Sequence, residues 1–403
     1  MGSDIGMKRL LRAFLGWAPG LEAYVVGGAV RALVMGQEPQ DVDIVVGGDA
    51  LEVARRFARH VGGSFVLLDE KNLLARVVKD GQHLDIGSLK GGDLEGDLRG
   101  RDFTINAMAL RARRFLRAPA DFSKALIDPL GGLGDLRAGL VRMVSEENLL
   151  QDPLRLLRAY RLAAELGFRI EARTREAIRH HGEALRRSAR ERITEELKRL
   201  LEAPGAFRAL RLMYAHGLLR VVLPGTGRAG LERLRRCPRK ISDFSGAPDV
   251  SFVFELAALG ASPRRLVLPR RQDRMLRRLR ELRGRALRLA HQGAGPRAMA
   301  AFLIDAGELL EPALALAQAW TGEGGRWGEF LKKFRAFQEA AASRLRSPMP
   351  LGGADLVKSL GLEPSSLVGM LLRELQIRWL LGRLQGREEA LRAARRLLES
   401  RRR

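Results

Sequence analysis

The stretch Tyr24–Val46, YVVGGAVRALVMGQEPQDVDIVV, constrains the fold more than any other part of the chain. Tyr24-Val25-Val26 has strand character and is closed by Gly27-Gly28, after which Ala29–Met35 predicts one or two helical turns carrying Arg31. A strand that feeds a helix through two glycines leaves free backbone N–H groups beside the positive end of the helix, a combination suited to phosphate. Beyond the turn Gln37-Glu38-Pro39, Asp41–Val46 predicts a second strand. Side chains alternate across a strand, so Asp41 and Asp43 share one face while Val42 and Ile44 face a core. Neighbouring carboxylates repel unless a cation sits between them, and Mg²⁺ favours a carboxylate pair completed by phosphate oxygens. Each feature alone has a plain structural reading: a tight turn, a solvated strand end, a surface arginine. In this order they point to metal-assisted phosphoryl or nucleotidyl transfer.

GGAVR followed by DVD resembles the first motif of the class II tRNA nucleotidyltransferases, the CCA-adding enzymes and their bacterial poly(A) polymerase relatives. Their usual pattern is G-G-x-V-R-D; here Ala32 fills the last place. The resemblance continues in Arg101-Asp102-Phe103-Thr104-Ile105-Asn106-Ala107, close to R-R-D-F-T-x-N-A, with Gly100 where the first arginine usually stands. Arg101 offers a planar fork of donors for phosphate oxygens. Asp102 and Asn106 can bind ribose hydroxyls or orient their neighbours. Further on, Asp128-Pro129 with Gly132, Asp135 and Leu136 matches D-P-x-x-G-x-x-D-L and reads as structural closure of the head.

Gln151-Asp152-Pro153 opens a helix that stops at Gly167. From the residues alone, Asp152 is a good helix cap and Arg155, Arg158 and Arg161 form a basic stripe of the kind that is usually solvated. The resemblance to the family's E-D-x-x-R implies more: Asp152 and Arg155 would read the Watson–Crick edge of the incoming base, and Arg158 and Arg161 match positions that contact the nucleotide. Gln151 replaces the usual Glu. An acceptor and a donor fork at fixed separation suit C or A and leave G or U with unpaired groups.

The matching motifs run over roughly residues 21–224. They imply an α/β nucleotidyltransferase head of DNA polymerase β type, followed by an all-α neck, body and tail. The expected boundaries are 1–142 for the head, 143–224 for a base-reading neck, 225–347 for an RNA-binding body and 348–403 for the tail. The implied site is Asp41 and Asp43 as catalytic metal ligands for Mg²⁺, with Gly28, Arg31, Arg101, Asp102, Asn106, Asp152, Arg155, Arg158 and Arg161 on the nucleotide. The implied reaction adds C and/or A from CTP and ATP to the 3′ end of tRNA. Three alternatives stay open: CC-only or A-only addition, poly(A) synthesis, and a silent RNA-binding protein. In the family, the region before the second motif holds a mobile segment that helps switch nucleotide choice. Here Gly87–Gly100 reads as a short Gly-rich loop. Asp85 reads either as a third carboxylate facing the pair or as an exposed strand-end acid.

Charge supports a polyanionic partner. The net charge is +24, and it is uneven: residues 1–142 hold 20 Lys/Arg against 18 Asp/Glu, whereas 143–403 hold 51 against 29. Exchange of Lys for Arg by genome bias does not create such an excess over acids. Arg264–Arg288 carries eleven arginines at helical spacing, suited either to RNA phosphates or to the outer face of a helical bundle. Pro348–Gly353 reads as a linker into a last helical unit. No apolar run approaches the ~20 residues that span a bilayer. The single cysteine, Cys237, allows no internal disulfide, and cytoplasm is the expected location.

Overall fold

The computed structural model describes residues 2–39, 41–117, 123–237, 248–322, 324–347 and 349–402. The chain divides into two compact units, residues 1–222 and 223–403.

The first unit is built on a six-stranded sheet. Its strands are β1 (Ala23–Val26), β2 (Asp43–Val46), β3 (Ser64–Asp69), β4 (Leu74–Lys79), β5 (Gln82–Ser88) and β6 (Ala109–Arg111), in the order β3-β4-β5-β2-β1-β6. Within this sheet β2 and β5 pair in parallel, in a register that sets Asp43 beside Asp85 and Ile44 beside Ile86. β1 runs antiparallel to β2 with Val26 opposite Asp43, so the Gly27 turn and the start of β2 meet at one edge. Alternation explains the result: Val42, Ile44, Leu84 and Ile86 are buried, while Asp41 and Asp43 are open to solvent. Helix Ala50–Val61, capped by the Asp49 carboxylate, covers β4 and β5. Leu51, Ala54 and Phe57 face inward, and Phe57 meets Phe14 of the N-terminal helix Gly2–Trp17 edge-on at 5.1 Å.

One expectation needs correction. Gly87–Gly100 is not a loop: after β5 comes a 3-10 turn, Lys90–Gly92, and then helix Leu94–Arg99. Asp93 caps that helix by accepting from Gly96 N at 2.7 Å, and Leu98 is fully buried. The glycines serve close approach rather than freedom. A Cβ on Gly91, whose φ is +73°, would lie 3.2 Å from the Gly96 Cα.

The rest of this unit is helical. A short helix, Glu146–Gln151, leads into Leu154–Leu166, which ends on Gly167 in the left-handed region and packs against Arg190–Glu202 and Ala206–Ala215. The closure motif is structural: Asp128 accepts from Gly132 N and Leu133 N, while Asp135 takes the Thr104 hydroxyl and the Arg142 guanidinium.

The second unit is α-helical throughout its described residues. One core gathers Phe302, Trp327, Phe330 and Phe334; another, around Leu356, Leu371, Leu375 and Ala394, holds the C-terminal helices. Pro348 of the expected linker lies outside the described residues. Helix Arg270–Gln292 buries Leu276, Leu279, Leu282 and Ala286. Several of its arginines are engaged internally: Arg285 pairs with Asp305, Arg280 donates to Ala261 O, and Arg283 stacks on Trp320 at 4.1 Å. Arg264, Arg270, Arg271, Arg274, Arg277 and Arg288 remain exposed.

Candidate active site

The edge where β1 turns and β2 begins gathers charge. Asp43 is open to solvent on one side, yet enough protein surrounds it that desolvation, aided by Asp85 and Asp41 and opposed by Arg101, raises its pKa to about 6. Asp41 precedes β2 and approaches His83 Nε2 at 2.9 Å, without hydrogen-bond geometry. Asp85 is not an exposed strand-end acid. It is 8% exposed and held by a bidentate Arg76 at 2.7 and 2.8 Å, facing Asp43 across the strand pair.

Gly27 sits against this group with φ +72° and ψ −133°. A Cβ there would lie 3.1 Å from Arg101 Nη1 and 3.9 Å from Asp43 Oδ2, so the glycine is what lets the guanidinium and the carboxylate come together. Gly28, the expected nucleotide-binding glycine, starts the helix Gly28–Val34 one residue further on. Arg101 is aimed by Asp97, which is 3% exposed and accepts from Nε at 3.1 Å and Nη2 at 2.8 Å.

A second group joins the head to the following helices. Arg31 donates to Asn106 Oδ1, Asn106 donates to Asp102 Oδ1 at 3.1 Å, and Arg158 donates to Asp102 Oδ2 at 3.3 Å. Burial alone would raise the Asp102 pKa; Arg158, the Asn106 and Phe103 hydrogen bonds and Arg155 outweigh it and hold the carboxyl below its usual range. The Arg31 guanidinium is also held below its usual pKa, first by burial and then by Arg161. Three arginines around one carboxylate leave a field that favours an added anion.

Arg155 donates from Nη1 to Asn148 O at 3.0 Å and Gly100 O at 3.3 Å. Asn148 in turn donates to Arg99 O and Arg101 O at 2.7 and 2.8 Å, so one amide ties the second motif to the helix carrying Arg155. Asp152 is engaged by Arg192 at 2.8 and 3.2 Å, and its cap contact to Leu154 N is long, at 3.4 Å. Arg161 is 8% exposed and locked between Glu196 and Glu165.

Nine of the eleven expected residues fall into three clusters of one unit: Asp41 and Asp43 with Arg101; Arg31, Asn106, Asp102 and Arg158; and Asp152 with Arg155; Gly28 opens the helix after the turn, and Arg161 is paired with Glu165 and Glu196. Gly27, Asp97, Asn148, Arg76 and Arg192 were not among them. Asp97 stands four residues before Arg101, a spacing that signals a helical ion pair; the other partners are distant in sequence.

Residues 23–142 match the model of the poly A polymerase head domain, and residues 167–229 match that of the probable RNA and SrmB-binding site of polymerase A. Over 406 residues, 94% of each chain, the sequence is 30% identical to a CC-adding tRNA nucleotidyltransferase of Synechocystis sp.. The chain belongs to the tRNA nucleotidyltransferase and poly(A) polymerase family. An A-adding tRNA nucleotidyltransferase of Deinococcus radiodurans is 41% identical over 207 residues, 50% of this chain and 45% of that one. Against most of the curated relatives it matches, the chain covers about half of their length. Among solved structures, a CCA-adding enzyme in complex with CTP superposes with a TM-score of 0.73 at 25% identity, covering 99% of this chain and 95% of that one.

Nucleotidyltransferases of this family generally use a divalent metal ion. Among the described residues, no group of three or more His, Cys, Asp and Glu side chains is arranged to hold one. The donor set at the start of β2 nonetheless suits such an ion: two aspartates whose oxygens prefer hard cations, one of them raised in pKa first by burial and then by its acidic neighbours. Among the described residues, no helix is long and apolar enough to cross a membrane.

Proposed function

We propose that this protein adds cytidylate, using CTP, to the 3′ end of tRNA without a nucleic acid template. The observation that carries the reaction class is the convergence of Asp43 and Arg101 on Gly27 where two central strands end, with Asp41 beside them. Asp41 and Asp43 would hold a divalent ion, Mg²⁺ by the oxygen chemistry of the site, which would supply positive charge to the triphosphate and the attacking hydroxyl. Arg101, fixed by Asp97, grips phosphate oxygens, and Arg31 and Arg158 extend the same positive field. The terminal ribose hydroxyl gives up its proton to water and its oxygen bonds to the α-phosphorus as the α–β phosphoanhydride bond breaks and pyrophosphate leaves. Asp102 and Asn106 fix the ribose and the segment beneath it. Asp152 and Arg155 present an acceptor and a donor fork to the base edge, and Asn148 holds Arg155 in place. Arg161 shapes this helix through Glu165 and Glu196 and touches the nucleotide only through its field.

Two observations favour C over A. The relative matched over 94% of both chains is CC-adding, and the Gly87–Gly100 segment ends in the capped helix Leu94–Arg99, pinned by Asp97 and Leu98, which suits a fixed choice of nucleotide. The A-adding relative, matched over half of the chain, supports A addition as the second reading. A reaction on tRNA ends in a reducing compartment agrees with the one buried cysteine, and we place the protein in the cytoplasm. The test uses tRNA transcripts ending at the discriminator base, after one C and after CC, each with labelled CTP or ATP. C addition to the first two and none to the third is expected. Incorporation of A alone onto the CC end establishes the second reading, and no incorporation into any of them refutes both.

A further inference from the structure

A pocket outside the three clusters above is not used by that mechanism. It is an open cavity of about 650 Å³ lined by Ala172, Arg175, Glu176, Arg179, His180 and His216. Arg175 and Arg179 stand one turn apart on helix Ala172–His181, are exposed, and have no carboxylate partner among the described residues. Their charge reaches His216: burial first, and then the two arginines, hold the imidazole below its usual pKa. His216 is therefore neutral near pH 7, and its tautomer is set from behind. Tyr160 is fully buried, and its hydroxyl lies 2.7 Å from His216 Nδ1. With the phenol donating to Nδ1, the ring proton sits on Nε2 as a donor. The lining then offers two guanidinium forks and one neutral N–H donor against a single acid, Glu176. That set matches a phosphodiester better than a cation or an apolar ligand.

We propose that this pocket binds a backbone phosphate of the RNA substrate. The proposal rests on the reading of tRNA as that substrate. RNA is favoured over a free anion because every lining residue lies within the 167–229 match to the probable RNA-binding region. The pocket is also part of the strongly basic portion of the chain.

The test measures binding of a tRNA transcript ending at the discriminator base to the full-length protein, by anisotropy across a salt series, alongside KM for CTP. Arg175→Gln/Arg179→Gln is expected to weaken tRNA binding about tenfold and to flatten the log–log salt slope by about one for each phosphate left unneutralised, with KM for CTP unchanged. Tyr160→Phe frees the His216 tautomer and is expected to weaken binding about two- to fivefold with an unchanged slope, because a neutral donor releases no counterion. Melting temperatures matching wild type for the arginine variant establish that its fold is intact. Unchanged affinity and slope in the double variant overturn the proposal, as does a raised KM for CTP with normal tRNA binding. A Tyr160→Phe protein that binds like wild type overturns the donor role of His216. Weakened binding in variants of a protein that adds no nucleotide upholds the pocket and refutes the enzymatic reading instead.

Discussion

Replacing Gly27 by alanine isolates the geometry on which the site depends. At φ +72° and ψ −133° an L residue is strained, at a cost of about 1–3 kcal/mol. The added Cβ also meets Arg101 Nη1 at 3.1 Å, and that guanidinium is tied to buried Asp97, so it yields only by loosening the ion pair. A total near 2 kcal/mol lowers the melting temperature of the first unit by about 4–8 °C. Gly28→Ala is the matched control: its backbone is helical, and a Cβ there meets only Arg31 Nη2 at 3.8 Å, an ordinary contact. In a helix that change is neutral or stabilising by up to about 1 kcal/mol. Thermal melts of the two variants beside wild type, with KM for CTP measured in parallel, separate the cases. Gly27→Ala is expected to melt early and bind CTP weakly, while Gly28→Ala keeps the wild-type melting temperature. Equal melting of both would refute the account of this turn.

Other consequences follow from the same clusters. Asp97→Asn removes the partner that aims Arg101; about 1.5–3 kcal/mol of charged hydrogen bonding is lost, read as a higher KM for CTP and an earlier melt. Asp43 has its pKa raised to about 6 from the ordinary 3.8, so its ionised form burdens the metal-free fold above that pH, and protonation relieves it as pH falls through 6. Added Mg²⁺ should therefore raise the melting temperature at pH 7.5 and little at pH 5, and Asp43→Asn should abolish the response. Asp102 has the opposite sign. Its depressed pKa contributes stability that is full above the unfolded-state value near 3.8 and lost as pH falls through the folded value. Asp102→Asn should make the protein less stable at neutral pH, with the difference closing in acid denaturation curves below pH 4.

What could be read in the chain follows from how local each feature is. The strand, glycine turn, helix and second strand of Tyr24–Val46 are specified by neighbours, and Asp41 and Asp43 emerge on the solvent face because Val42 and Ile44 must be buried. The Gly87–Gly100 segment misled because glycine content looks the same whether it confers freedom or permits the Gly91–Gly96 approach. Asn148 is an ordinary helix residue until its amide is seen to reach two carbonyls more than forty residues away. The engagement of Asp152 by Arg192, forty residues on, is equally invisible. In the arginine-rich helix, periodicity identified the buried leucines, but partners distant in sequence, Ala261 O, Asp305 and Trp320, mark the engaged arginines.

The most direct measurement is single-turnover transfer of labelled CTP onto saturating tRNA by Asp41→Asn and Asp43→Asn, with tRNA affinity determined for each. Both variants should lose at least about a thousandfold in rate while binding tRNA as wild type does. Transfer at a near-normal rate by either one would contradict the assignment of the carboxylate pair and the chemistry built on it.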